Sequence, residues 1–70
     1  MDYMQMYKRG IESDRQKLQA YIKRHGFREN LGQPEQRDFN ERVSVNTHLS
    51  YQQQAELRVE YILMLDSLEL

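Results

Sequence analysis

The chain is expected to fold as an all-α, three-helix domain, and three observations carry that expectation. Apolar residues recur three and four apart in the first and last thirds of the chain, which places them on one face of a helix. Helix-start signals stand at Pro34 and at Ser50. No Asn-Gly or Asp-Gly pair lies between alternating runs, so nothing reads as a hairpin. The stretch Val43 to Thr47 alone has strand character, and it is short and without a partner strand. Seventy residues are read as one domain, 1–70.

The first helix is expected from about Asp2 to His25. Its seam is Met4, Tyr7, Ile11, Leu18 and Tyr21, in heptad-like alternation. Asp14 falls on that seam where an apolar residue is expected. Either it pairs with a cation and fixes register, or the helix rotates slightly and Asp14 stays in water; the second is the expectation. Gly10 costs about 1 kcal/mol relative to alanine in a helix interior, which leaves frayed first turns or a start near Ile11 as alternatives. Gly26 is placed to end the helix in a left-handed conformation, behind Lys23, Arg24 and His25, which suit the C-terminal dipole. In the connection that follows, Phe27 and Leu31 are expected to plug the end of the core.

The second helix is short. Pro34 opens it, Glu35 suits its dipole, Phe39 and Val43 form its inward pair, and it is expected to reach about Val45. The third helix follows the S-x-x-Q capping box of Ser50 and Gln53 and is expected over Tyr51 to about Ser67. It carries two apolar seams. One is Leu57, Tyr61, Met64 and Leu68; the other is Tyr51, Ala55, Val59 and Ile62, with Leu63 and Leu65 beside them. A helix this widely apolar touches more than one neighbour, and two helices of a 70-residue chain cover it only by very economical packing. A core of this size supplies roughly 3–5 kcal/mol unaided. Cysteine is absent, so no disulfide adds to it, and oligomerisation is the natural supplement. The expectation is a homodimer through the third helix with help from the first, and Leu57, Tyr61, Met64 and Leu68 are its candidate dimer or core residues.

Charge divides the chain more sharply than its net of −1 suggests. Residues 1–28 carry seven Lys/Arg against three Asp/Glu, and residues 29–70 carry three against eight. Lys8 and Arg15 share one flank of the first seam, while Lys17 and Arg24 share the other, the positions that face charges on a neighbouring helix. Glu56 and Glu60 line the polar strip of the third helix, so the basic first helix is expected to lie against the acidic third, within the chain or across a dimer. The remaining positive charge, Lys17, Lys23, Arg24 and Arg28, is the candidate contact site. Tyr3 is the tyrosine expected to be most exposed and is a further candidate contact residue, since tyrosine is enriched at interfaces.

Catalysis finds no support in the sequence. Cysteine nucleophile, HExxH and phosphate-binding glycine loop are all missing, and His25 and His48 are far apart without Ser or Asp partners at a meaningful spacing. No cofactor or metal is expected. A helix-turn-helix formed by the second and third helices is disfavoured, because its recognition helix would carry one arginine and several carboxylates. No apolar run approaches the ~20 residues of a spanning helix, and no signal peptide is read, so the expected location is the cytoplasm.

The segment Tyr21-Ile22-x-x-His25-Gly26-Phe27-x-Glu29-Asn30-x-Gly32-Gln33-x-Glu35-x-Arg37 contains a GxxENxGQxExR stretch. It resembles stretches in small helical proteins of bacteriophages and prophages and covers about a quarter of the chain. What the resemblance implies is a setting, a short accessory protein that binds something in a host cytoplasm, and no activity travels with it. Asn30, Gly32 and Gln33 are also turn and capping residues, so a structural role is expected for the stretch. The functional expectation is a non-enzymatic interaction protein that modulates a host protein by binding. The alternatives are a nucleic-acid-associated regulator using the basic end of the first helix, and a structural assembly subunit.

Overall fold

The computed structural model describes residues 2–70 as an up–down–up array of three α-helices. The helices are α1, Tyr3–His25, α2, Gln33–Ser44, and α3, Tyr51–Asp66, and no strand occurs among the described residues. The long dimension of 38 Å is set by the 23-residue α1.

Each helix begins and ends for a local chemical reason. Asp2 caps α1, its Oδ1 accepting from the Gln5 N–H at 3.2 Å, and the helix is continuous through Gly10. At the other end the Gly26 N–H donates to the Ile22 carbonyl at 2.7 Å. Gly26 then adopts φ 79°, ψ 172°, which is not the left-handed helical geometry expected of it but an extended positive-φ region open essentially to glycine alone. Asn30, at φ 65°, turns the chain and accepts from the Gln33 N–H. α2 starts at Gly32 with Pro34 in its first turn, and α3 starts with the full capping box between Ser50 and Gln53.

α1 and α3 run parallel and side by side, and α2 lies antiparallel to both. Lys8 lies by Glu56 and Glu60, Asp14 by Tyr61, and Gln19 by Glu69, so the register between α1 and α3 is held along its length. The core sits where the three meet. Phe39, Val43, Leu57 and Tyr61 are completely enclosed, and Tyr7, Ile11, Leu18, Leu49 and Met64 close around them. Phe39 is the centre: its ring is 4.7 Å from that of Tyr61 and meets Tyr7 edge-on at 5.9 Å.

At the end where α2 leads into α3, Tyr7, Asn46 and Gln54 share a set of hydrogen bonds, while the buried Asn40 Oδ1 on α2 has no partner among the described residues. The Tyr7 hydroxyl donates to the Arg42 carbonyl and accepts from Asn46 Nδ2 at 3.1 Å. Asn46 Oδ1 accepts from the His48 N–H, and the buried Gln54 amide reaches the Asn46 and Leu49 carbonyls. At the opposite end Gly32 is buried against Leu18 and Leu65, and Leu31 packs on the core beside it.

Four expectations require correction. Phe27 does not plug the core; it is 61% exposed, because Gly26 turns the chain outward and Leu31 and Gly32 close that end instead. Tyr21 is half-buried on the rim of α1, and the deeply buried residue of that last turn is Ile22. Asp14 is not simply left in water: it is half-buried and accepts from the Tyr61 hydroxyl at 2.6 Å, so its partner in the fold is a core hydroxyl and not a cation. Tyr3 is half-buried and stacked on His48, with ring centroids 5.0 Å apart, which removes it as a freely exposed contact residue.

Candidate interaction surface

The sequence gives α3 two apolar seams, and the fold uses only one of them. Gln54, Leu57, Tyr61 and Met64 recur at helical spacing and enter the core, and Leu65 and Leu68 pack at its edge. Of the four residues weighed as dimer or core, Leu57, Tyr61 and Met64 are therefore core, and Leu68 lies half-buried beside them. None of the first three has surface to offer a second chain. The other seam remains outside. Val59 is 54% exposed, Ile62 46%, Leu63 60% and Tyr51 90%, and Ala55 lies exposed among them. Arg58 borders this face on one side and Glu56 on the other, and Asp66 stands at its C-terminal end.

Beside Leu63 the surface drops into an open notch of about 420 Å³ between α1 and α3. Ile11 and Met64 line it from the core, Leu63 forms a wall, and Lys8, Glu60 and Ser67 stand around it. Lys8 Nζ lies 3.8 Å from Glu56 Oε1 and 3.9 Å from Glu60 Oε1, which joins the basic flank of α1 to the acidic strip of α3 within one chain. Arg15, on the same flank, turns to its own helix and binds Glu12 through two nitrogens. That hydrogen bond holds the Glu12 carboxyl below the ordinary carboxylate range.

The basic candidates are exposed and spread out. Lys17 and Arg24 are seven residues apart on one side of α1, and Lys23 is a third of a turn round from Arg24's side. The Arg28 guanidinium lies over the Tyr21 ring, 5.0 Å from its centroid, and the same ring rests against His25. Lys17 and Arg28 come together with Asp14, Tyr21 and Glu35 around a recess of about 150 Å³ between α1 and α2. Lys23 and Arg24 stand outside it, so the four do not make one positive patch, and the recess itself holds both signs of charge. None of these four forms an ion pair among the described residues.

Sequence reasoning missed Asn46 and, although it placed Tyr61 on a seam, missed the hydrogen bond that Tyr61 makes. Asn46 ties the α2–α3 connection to α1 and α3 through Tyr7, His48 and Gln54, and its only sequence signal is an Asn just after a helix end. Tyr61 combines enclosure with a hydrogen bond to Asp14; burial, and then that bond, push its phenol well above the ordinary tyrosine range. Neither is positioned for turnover: Tyr61 is sealed in the core and Asn46 ties backbone groups together. Among the described residues no group of three or more His, Cys, Asp or Glu is arranged to hold a metal ion, and no helix is long and apolar enough to cross a membrane. Compared with known protein families, with curated proteins and with solved structures, the chain matches none of them.

Proposed function

We propose that the chain is a small non-enzymatic interaction protein that binds another protein and modulates it by occupying its surface. The observation that carries this is the outer face of α3, where Val59, Ile62 and Leu63 lie open to solvent along one helix although the same helix already supplies the centre of the core. Exposed apolar side chains scattered singly need no explanation, but a contiguous row on one rigid element marks a contact surface. The GxxENxGQxExR stretch adds a setting, a phage or prophage accessory protein at work in the cytoplasm of a host, and its Gly32 and Asn30 serve the turn.

The test is affinity capture from a lysate of the source cells, run in parallel with the chain and with its Leu63→Lys variant. Leu63 is exposed, so the variant keeps its fold, which circular dichroism checks. The expected result is one protein retained in stoichiometric amount by the chain and lost with the variant. Equal capture by both, or capture of none, rejects the proposal. A gel-shift series with duplex DNA at low salt addresses the nucleic-acid alternative, for which a steep salt dependence is required.

A further inference from the structure

We propose that the outer face of α3 is covered by a second copy of this chain, the two α3 helices lying antiparallel across a two-fold axis near Arg58 and Val59. This rests on the reading of that face as a contact surface and names what covers it in the free chain; a partner protein that uses the same face has to displace the second copy. Area is the first argument. Tyr51, Ala55, Val59, Ile62 and Leu63 leave on the order of 500 Å² of side-chain surface open per copy, toward the upper end of the roughly 300–600 Å² of a monomer's largest patch, and two copies can together bury at most about 1,000 Å², the lower limit of a specific interface. The occupant therefore needs a surface of the same width and length, and a second α3 supplies it by symmetry.

The pattern of residues selects the orientation. With the axis between Arg58 and Val59, an antiparallel pair sets Ala55 against Ile62 of the second copy, small against large, twice over. It also sets Asp66 of one copy beside Tyr51 and the first turn of α3 in the other. There the Tyr51 hydroxyl can donate to the carboxylate, and the positive end of the helix dipole favours it. A parallel pair does the opposite: it brings Asp66 against Asp66, aligns the dipoles and leaves each Tyr51 beside its copy. Arg58 lies close to its own copy at the axis in the antiparallel pair, and this repulsion makes the dimer a weak one that forms at micromolar concentration. Leu63 lies at the edge of this contact, next to the notch walled by Ile11 and Met64, so the second copy also narrows that opening.

The experiment is sedimentation equilibrium on the purified full chain from low to high micromolar concentration, with Ile62→Lys as the variant. Ile62 is half-exposed in the single chain, so the variant should keep its helicity, and circular dichroism verifies this. The expected result is a concentration-dependent rise to the dimer mass, with dissociation at least about tenfold easier in Ile62→Lys. A chain that stays monomeric throughout, or a dimer indifferent to Ile62→Lys, overturns the proposal. Orientation is read separately, because the chain has no cysteine of its own. Ala55→Cys mixed with Ile62→Cys should oxidise to the mixed disulfide, and predominance of the two like-with-like disulfides overturns the antiparallel arrangement. A monomer that still loses its captured protein on Leu63→Lys removes the second copy and leaves the proposed function standing.

Discussion

Replacing Gly32 by alanine should take away a large part of the chain's stability. Gly32 is buried at φ 84°, ψ −7°, where an L residue is strained, by about 1–2 kcal/mol for the left-handed region. A Cβ there would also stand 2.6 Å from Leu65 Cδ2 and 3.3 Å from Leu18 Cδ1, from α3 and α1. Both atoms end flexible side chains and Leu65 is only half-buried, so side-chain rotation relieves much of the clash and leaves the low end of the overpacking range, about 1 kcal/mol. Together they reach about 2–3 kcal/mol, set against the roughly 3–5 kcal/mol that a core of this size supplies. Gly26→Ala provides the control, because its φ is also positive but a Cβ there meets nothing within 4 Å, so only the backbone cost applies. Gly10→Ala is the opposite control: it lies in a helix with open space around it and should stabilise by about 1 kcal/mol. Urea unfolding followed by far-ultraviolet circular dichroism measures all three. The steric part is isolated by Leu65→Ala, which trims the colliding side chain, so the Gly32→Ala/Leu65→Ala double variant should be more stable than additivity requires. Strict additivity would refute the close approach as the reason for glycine here.

Two further outcomes follow from side-chain contacts. The Tyr61 phenol is raised above its unfolded value of about 10, first by burial and then by its bond to Asp14, so it favours the folded state fully below pH 10. That contribution is lost as pH rises beyond 10; in stability against pH, the chain should weaken steeply there and Tyr61→Phe distinctly less, and parallel curves for the two would count against the assignment. Lys8→Met should change stability by less than about 1 kcal/mol, since its pairs with Glu56 and Glu60 are exposed and longer than 3.5 Å, and the small effect should vanish in molar salt.

The parts of the fold that were legible in the sequence are those fixed by local chemistry. Pro34 and the Ser50–Gln53 box mark where helices start, because a backbone N–H without a partner demands a cap or a proline regardless of the tertiary fold. Phe39, Val43 and Ile11 are inside because apolar residues one turn apart leave no other face to bury. What escaped needed three dimensions. Phe27 is apolar and sits next to the core end, yet a ψ of 172° at Gly26 sends it outward, and no pattern in the sequence encodes that angle. Asp14 breaks the seam of α1 on a helical wheel. Its reason lies 47 residues away, where Tyr61 brings a hydroxyl through the core that has to be satisfied.

The candidate surface was legible as a surplus and not as a location. Two apolar seams on the last helix state that something beyond the first two helices must cover one of them; they do not state which is which. The choice is made by shape. Tyr61 is long enough to fill the space above Phe39 and still reach Asp14, and Met64 follows it one turn on, so the seam that holds them turns inward. Val59 and Ile62 are β-branched and shorter, and no aromatic centre on α1 or α2 waits for them. The charge break then resolves in the same geometry. Lys8 sets its charge beside Glu56 and Glu60 inside the chain, which leaves the outer side of α3 bordered by Arg58 alone among the cations. A row of Ala55, Val59 and Ile62 with Tyr51 at one end and Asp66 at the other is complementary to its own reversal, and that is why the surplus points to a second copy of the chain.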